Sequence, residues 1–257
     1  MSAVSQSQTI EYPDSDGLPM ADNTLQFQWI VTIQGSLDWI FRDRPDVFVA
    51  GDLLWYPVEG NNKLRAAPDA MVVFGRPKGY RGSYMQWRED NLPPQVVFEV
   101  LSPGNRPREI TRKFQFYDTH QVQEYYVIDP DHNFIDGWIR QAGVLREIDA
   151  LDGWVSPRLG IQFQIGEGQP VRILQPDGTP FLTYQEARAL TNEARQHAEH
   201  ESARAEQESA RAEQESVRAE QESARAAFEA TRAEQESARA DRLADKLRAL
   251  GIEPNDA

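Results

Sequence analysis

The chain has 257 residues, no cysteine and a formal net charge of −14. The missing cysteines exclude disulfides, zinc–thiolate centres and thiol nucleophiles, and the acidic total argues against loose electrostatic attachment to nucleic acid. No apolar run approaches the roughly 18 residues of a membrane span, and the N-terminus has no charged-then-apolar signal pattern, so a soluble cytoplasmic protein is expected.

Composition changes near residue 186: all six Trp and all eight Tyr precede that point. The predicted organisation is a flexible segment over 1–22, an α+β domain over 23–186, one long helix over 187–250 and a disordered tail over 251–257. Asp22, Asn23 and Thr24 offer caps for a helix over 23–42, with Leu25, Trp29, Ile33, Leu37 and Ile40 on its inner face. Residues 46–58 read as a strand pair or one long strand broken near Gly51. A further strand follows Pro68, over Met71 to Phe74. Residues 76–90 form a loop rich in glycine and arginine. Then come an apolar strand (95–101), a turn at 102–105 and a helix from Pro107 to His120. The run 124–129 is another buried strand. Three antiparallel strands close the domain, with turns at Gly137, Gly143 and Gly160.

Beyond it, Glu201 to Arg242 repeats every seven residues with Glu, Ser, Ala, Arg and Gln. These are mostly strong helix formers, and Arg–Glu pairs four apart recur along the run. The seam is Glu/Ala or Ser/Ala until Leu243, unlike an Ile/Leu zipper. This helix is expected to be a spacer or a homo-oligomerisation arm, and no chemistry is placed on it.

Three polar residues stand where cores disfavour them. Asp69 opens an apolar strand, Glu99 interrupts the next one, and Lys113 lies on the following helix near Phe114 and Tyr117. Two acids at neighbouring strand positions can hold Mg²⁺, and phosphodiester cleavage needs the charge stabilisation and activated water that such an ion supplies. A buried ion pair between Glu99 and Lys113 or an arginine explains the same residues, as does simple exposure. Between 76 and 113, eight Lys and Arg face four Asp and Glu. That excess is either ordinary surface charge or a phosphate-facing patch. The four histidines do not cluster with acids. Trp29, Trp39, Trp55 and Trp138 read as core aromatics, Trp87 as packing beneath its loop or stacking on a base, and Glu124 as structural or as a brace for the site.

The segments 68–74, 96–105, 112–130 and, less specifically, 51–57 resemble the Uma-type family of restriction-endonuclease-like proteins, within the PD-(D/E)XK nuclease superfamily. The resemblance covers about residues 45 to 185. It implies a mixed β-sheet flanked by helices, a Mg²⁺- or Mn²⁺-dependent endonuclease activity, and nucleic acid, DNA in the first instance, as substrate. Asp69 becomes the Pro-Asp acid and Glu99 the acid of the Glu-x-Lys motif. Leu101 stands where that motif has lysine, and Lys113 is the candidate replacement. Asp38 and Asp52 compete as the first acidic residue; Asp52 is preferred because it interrupts an apolar strand. Asp69, Glu99 and Asp52 are thus the expected metal ligands, Asp69, Glu99 and Lys113 the catalytic group, and Arg81, Arg106 and Arg112 the phosphate contacts. The alternative is an inactive nuclease-like binding module whose C-terminal helix mediates protein–protein interaction.

Overall fold

The structure, a computed structural model, describes residues 10–17, 19–166, 168 and 170–251. The chain divides into two units, Met1–Arg188 and Ala189–Ala257.

The first unit is an α+β fold around a mixed six-stranded sheet. Its strands are β1 (Val47–Ala50), β3 (Ala70–Phe74), β5 (Val96–Val100), β6 (Glu124–Asp129), β7 (Phe134–Gln141) and β8 (Val144–Glu147), in that spatial order. Only β5 and β6 are parallel, and the helix α2 (Pro107–Thr119) makes the crossover such a pair requires. All five residues of β5 are buried, as expected of a strand covered on both faces.

Each face of the sheet packs on one helix. The helix α1 (Thr24–Ile40) sets Ile30, Ile33 and Leu37 against Val49, Val72, Phe98 and Tyr126. On the opposite face α2 sets Phe114, Phe116 and Tyr117 against Val97, Tyr125 and Trp138. Asn23 caps α1 through its side chain, which accepts from the Gln26 amide at 2.8 Å. Of the expected inner face, Ile33 and Leu37 are buried and Trp29 and Ile40 pack partly buried on the core, but the stripe runs through Gln26 and Ile30 and leaves out Leu25. Leu25 is exposed, and so is Trp39, at 59 %, where Arg42 lies over its ring. Trp55 is fully buried, as expected of a core aromatic.

Several local expectations change. The glycine- and arginine-rich loop contains β4 (Tyr84–Met85), which pairs in parallel with β2 (Trp55–Tyr56). Gly137 is not a turn residue: it lies inside β7, where an added Cβ would come within 2.8 Å of Leu151 and 3.1 Å of Tyr126. The turn after β7 is Ala142–Gly143, both with positive φ (51° and 87°), the left-handed pair that a two-residue hairpin demands. A small hairpin of β9 (Gln162–Gln164) and β10 (Arg172–Leu174) completes the unit.

Of the segment expected to be flexible, residues 1–9 and 18 lie outside the described residues. Glu11 to Pro13 are held in place. The Tyr12 ring packs on Tyr56 and Trp87, Tyr56 donates to the Pro13 carbonyl at 2.8 Å, and Asn62 donates to the Glu11 carbonyl at 2.8 Å. The tail at 252–257 also lies outside the described residues.

The helix α3 (Tyr184–Ala249) starts at a capping box. Thr183 Oγ1 accepts from the Glu186 amide, and the Glu186 carboxylate accepts from the Thr183 amide at 2.9 Å. Its 66 residues include none that is buried, and at 1.5 Å per residue it runs about 100 Å. Arg204–Glu208, Arg218–Glu222 and Arg232–Glu236 pair four apart at 3.1 to 3.2 Å. Among the described residues no helix is long and apolar enough to cross a membrane.

Candidate active site

The register of β3 against β5 pairs Ala70 with Phe98 and Met71 with Val97. One step further along, Asp69 faces Glu99. Side chains alternate along a strand, so Asp69 shares a face with Met71 and Glu99 shares it with Val97. Both of these apolar residues belong to the α2 side of the sheet. The two acids therefore sit side by side on the same face, beneath α2.

Both are buried, Asp69 at 8 % and Glu99 at 3 % exposure. Asp69 Oδ2 accepts from the Val100 amide at 2.6 Å. Burial first, and the Glu99 charge second, push the Asp69 carboxyl well above its usual range, against the opposing pull of Lys113 and the Val100 amide. Glu99 is served by two residues one turn apart on α2: Lys113 Nζ donates to Oε2 at 2.6 Å, and the Tyr117 hydroxyl donates to Oε1. Burial works to lower the Lys113 pKa, but the charges of Glu99 and Asp69 outweigh it and the ammonium is held above its usual range. Among the described residues no arginine pairs with either acid.

A cavity of about 30 Å³ lies between Asp69, Glu99, Lys113, Gln26, Asn105 and Glu109, room for one or two water-sized occupants. Among the described residues no group of three His, Asp or Glu gathers as a metal nest. The oxygen donors at the centre of this site are thus two carboxylates.

Sequence reasoning missed Gln26 and Tyr117. Gln26 brings α1 to the cavity: Nε2 donates to the Val100 carbonyl at 2.8 Å, and Oε1 accepts from the Asp22 amide at 2.8 Å. Asp69 and Gln26 thereby clamp the two polar groups of Val100, next to Glu99. An early helix does reach the site, but with a neutral amide rather than an acid. The one available signal was a glutamine among apolar residues three places after Asn23. Tyr117 had the signal of its spacing, four residues after Lys113.

The other expected site residues separate into two groups. Asp52 lies in the bend after β1 with a left-handed backbone (φ 47°) and donates its amide to the Pro68 carbonyl at 3.0 Å; it does not interrupt a strand. Its carboxyl is raised by burial first, then by Asp16, and it senses Lys113 and Glu99 as well. It borders the acidic pair without lining the cavity. Asp38 is paired with Lys78 on the surface at 2.8 Å.

The positive excess of 76–113 resolves into two halves. Arg81 is committed within the protein: its guanidinium binds Glu89 at 2.7 Å and 3.2 Å, the Pro77 and Gly79 carbonyls, and the Phe48 ring face. Four of its five N–H donors are taken, so Arg81 lacks the free fork expected for a phosphate. Arg76 is likewise tied to Glu89 and Asp90. In contrast Arg106, Arg108 and Arg112 are exposed at the start of α2 and line one open groove with Thr111 and Gln115. Glu109 borders both this groove and the acidic cavity, so the two adjoin. Glu124 is on the opposite face of the sheet, where its carboxylate accepts from Tyr126 at 3.0 Å, Ser156 at 2.5 Å and the Arg158 amide at 2.9 Å. Its role is structural.

No curated protein matches the chain. A crystal structure described as "a putative nuclease belonging to DUF820", from Anabaena variabilis, is similar over 59 % of this chain and 78 % of that one, at 15 % identity and a TM-score of 0.40. The sequence profile of the Uma2 family, described as "Putative restriction endonuclease", matches residues 7–166. That span holds the whole six-stranded sheet, Asp69, Glu99, Lys113 and Tyr117, and it covers more than half of the chain: the protein belongs to the Uma2 family.

Proposed function

We propose that the chain is a divalent-metal-dependent nuclease that hydrolyses phosphodiester bonds of nucleic acid, with DNA the expected substrate. The observation that carries this reading is the side-by-side placement of Asp69 and Glu99 at a cavity that Lys113 also lines. Two buried acids set side by side, with the Asp69 carboxyl raised by burial and by the Glu99 charge, form a place a cation relieves. The donor set is hard oxygen with no thiolate or imidazole, which suits Mg²⁺ or Mn²⁺ with several waters retained. Asp69 and Glu99 would hold the ion; Asp52 would add long-range negative charge. When bound, the ion stabilises charge on the scissile phosphate and lowers the pKa of a bound water.

The chain's own groups divide the remaining work. The Val100 amide fixes Asp69 through Oδ2. Lys113, kept protonated by its two acidic neighbours, acts as a donor rather than a base: it orients the attacking water or the phosphate oxygen. Arg106, Arg108 and Arg112 contact flanking phosphates from the groove beside the cavity. The test is cleavage of end-labelled oligonucleotides in Mg²⁺. Wild type cuts, and Asp69→Asn and Glu99→Gln do not; undiminished cutting by either variant rejects the assignment.

One observation favours the second reading, a binding module without catalysis: both Glu99 oxygens already have donors in Tyr117 and Lys113. That reading predicts oligonucleotide binding that chelators leave untouched and no cleavage by wild type.

A further inference from the structure

Lys113 and Tyr117 divide the Glu99 carboxylate between them, and the two contacts differ in kind. The Lys113 side chain is 27 % exposed and its ammonium ends a flexible four-carbon stem, so it can leave Oε2. Tyr117 is 0 % exposed. Its ring lies parallel to Trp55 at 6.3 Å, packs on Tyr125 at 5.0 Å and meets Phe116 edge-on at 5.7 Å. Its carbonyl accepts from Arg140 Nη2 at 3.3 Å. The ring has no room to turn, so the hydroxyl stays on Oε1 whatever Lys113 does. A phenolic O–H is a donor at neutral pH, so the contact is a hydrogen bond from Tyr117 to the carboxylate.

A buried tyrosine hydroxyl needs an acceptor, and satisfying that need is a purely structural explanation of the contact. The geometry points further. The terminal torsion of a glutamate is broad and roughly two-fold, so packing alone does not orient its carboxylate. We propose that Tyr117 is a positioning residue of the site: its hydroxyl locks Glu99 through Oε1, leaves Oε2 on the side of Lys113, and thereby sets the affinity of the site for a divalent cation. The inference rests on the metal-dependent nuclease reading. Partners that orient a metal ligand typically account for about 10- to 100-fold in metal affinity or activity.

The test titrates Mn²⁺ by calorimetry into the full chain as wild type and as Tyr117→Phe, with near-ultraviolet circular dichroism reporting the fold of each. Tyr117→Phe is expected to bind Mn²⁺ at least about 10-fold more weakly. The Mn²⁺ concentration for half-maximal cleavage rises in parallel. Placing 4-aminophenylalanine at 117, which restores a donor at the same ring position, returns the affinity. If Tyr117→Phe does not fold, 4-fluorophenylalanine at 117 fills the hydroxyl's volume without a donor and gives the same comparison. Equal Mn²⁺ affinity of a folded donor-less variant and wild type overturns the positioning role and leaves the nuclease reading standing. Absence of Mn²⁺ uptake by wild type overturns the nuclease reading and this inference together.

Discussion

Lys113 Nζ stands 2.6 Å from Glu99 Oε2 while the facing Asp69 carboxylate is fixed on the Val100 amide, so two buried acids share one ammonium. Removing that ammonium leaves both acids uncompensated. Breaking a fully buried pair costs about 3–5 kcal/mol; with Lys113 partly exposed, Lys113→Met is expected to cost about 2–3 kcal/mol in urea unfolding. Millimolar Mn²⁺ should restore part of this loss, because a bound cation replaces the missing charge. A variant as stable as wild type in chelator contradicts the charge accounting.

Asp69 yields a prediction with an unusual sign. Its folded pKa is raised, chiefly by burial and then by Glu99, so between the unfolded value near 4 and the raised folded value the folded state holds the extra proton. Stability attributable to Asp69 is therefore lost as pH rises through that window, opposite to a salt-bridged acid. Asp69→Asn keeps an acceptor for the Val100 amide and removes the charge. In chelator it should melt above wild type at pH 8, by about 1–2 kcal/mol, and the gap should close toward pH 5. Asp69→Ala orphans the Val100 amide and should instead lose about 1–3 kcal/mol. A constant gap between pH 5 and 8 contradicts the assigned direction.

The arginine groove makes a prediction about salt. Each phosphate contact contributes about 0.7–0.9 to the slope of log affinity against log salt. The double variant Arg108→Glu/Arg112→Glu should weaken binding of a fluorescent oligonucleotide in chelator by more than about 10-fold and flatten that slope by between one and two. Arg81→Gln should leave the slope unchanged and lower thermal stability, because its guanidinium holds Glu89. The reverse ranking would move the phosphate contacts to the 76–90 loop.

A chain ending at Leu190 retains the Thr183–Glu186 capping box and the whole six-stranded sheet. Its melting temperature and its cleavage in Mg²⁺ should match the full chain. Loss of both would assign the long helix a part in the first unit that the nuclease reading does not give it.

Much of this was legible because the sheet is covered on both faces. Strand β5 reads as an unbroken apolar run, and a carboxylate at 99 stands out against it; the facing position of Asp69 then follows from strand pairing. The helix boundaries of α2 follow from Pro107 at its start and from the loss of pattern after His120. The rest depended on tertiary information. Gln26 belongs to the site because α1 packs with its first turn against the end of β5, and a glutamine three places after Asn23 does not by itself say which strand it meets. Arg81 looked like a phosphate contact until Glu89, eight residues on, folded back to bind it. Gly137 carried turn chemistry, yet it is needed in mid-strand because Leu151 and Tyr126 crowd the place a Cβ would take. Tyr117 looked like one more core aromatic, since a sequence does not reveal which acid its hydroxyl meets.

The most direct measurement is anomalous diffraction from crystals grown in saturating Mn²⁺. The account predicts a peak within about 2.0–2.3 Å of a carboxylate oxygen of both Asp69 and Glu99, with Lys113 displaced from Glu99 Oε2 or sharing it. An empty cavity at saturating Mn²⁺, with Lys113 still bonded to Glu99, would contradict it.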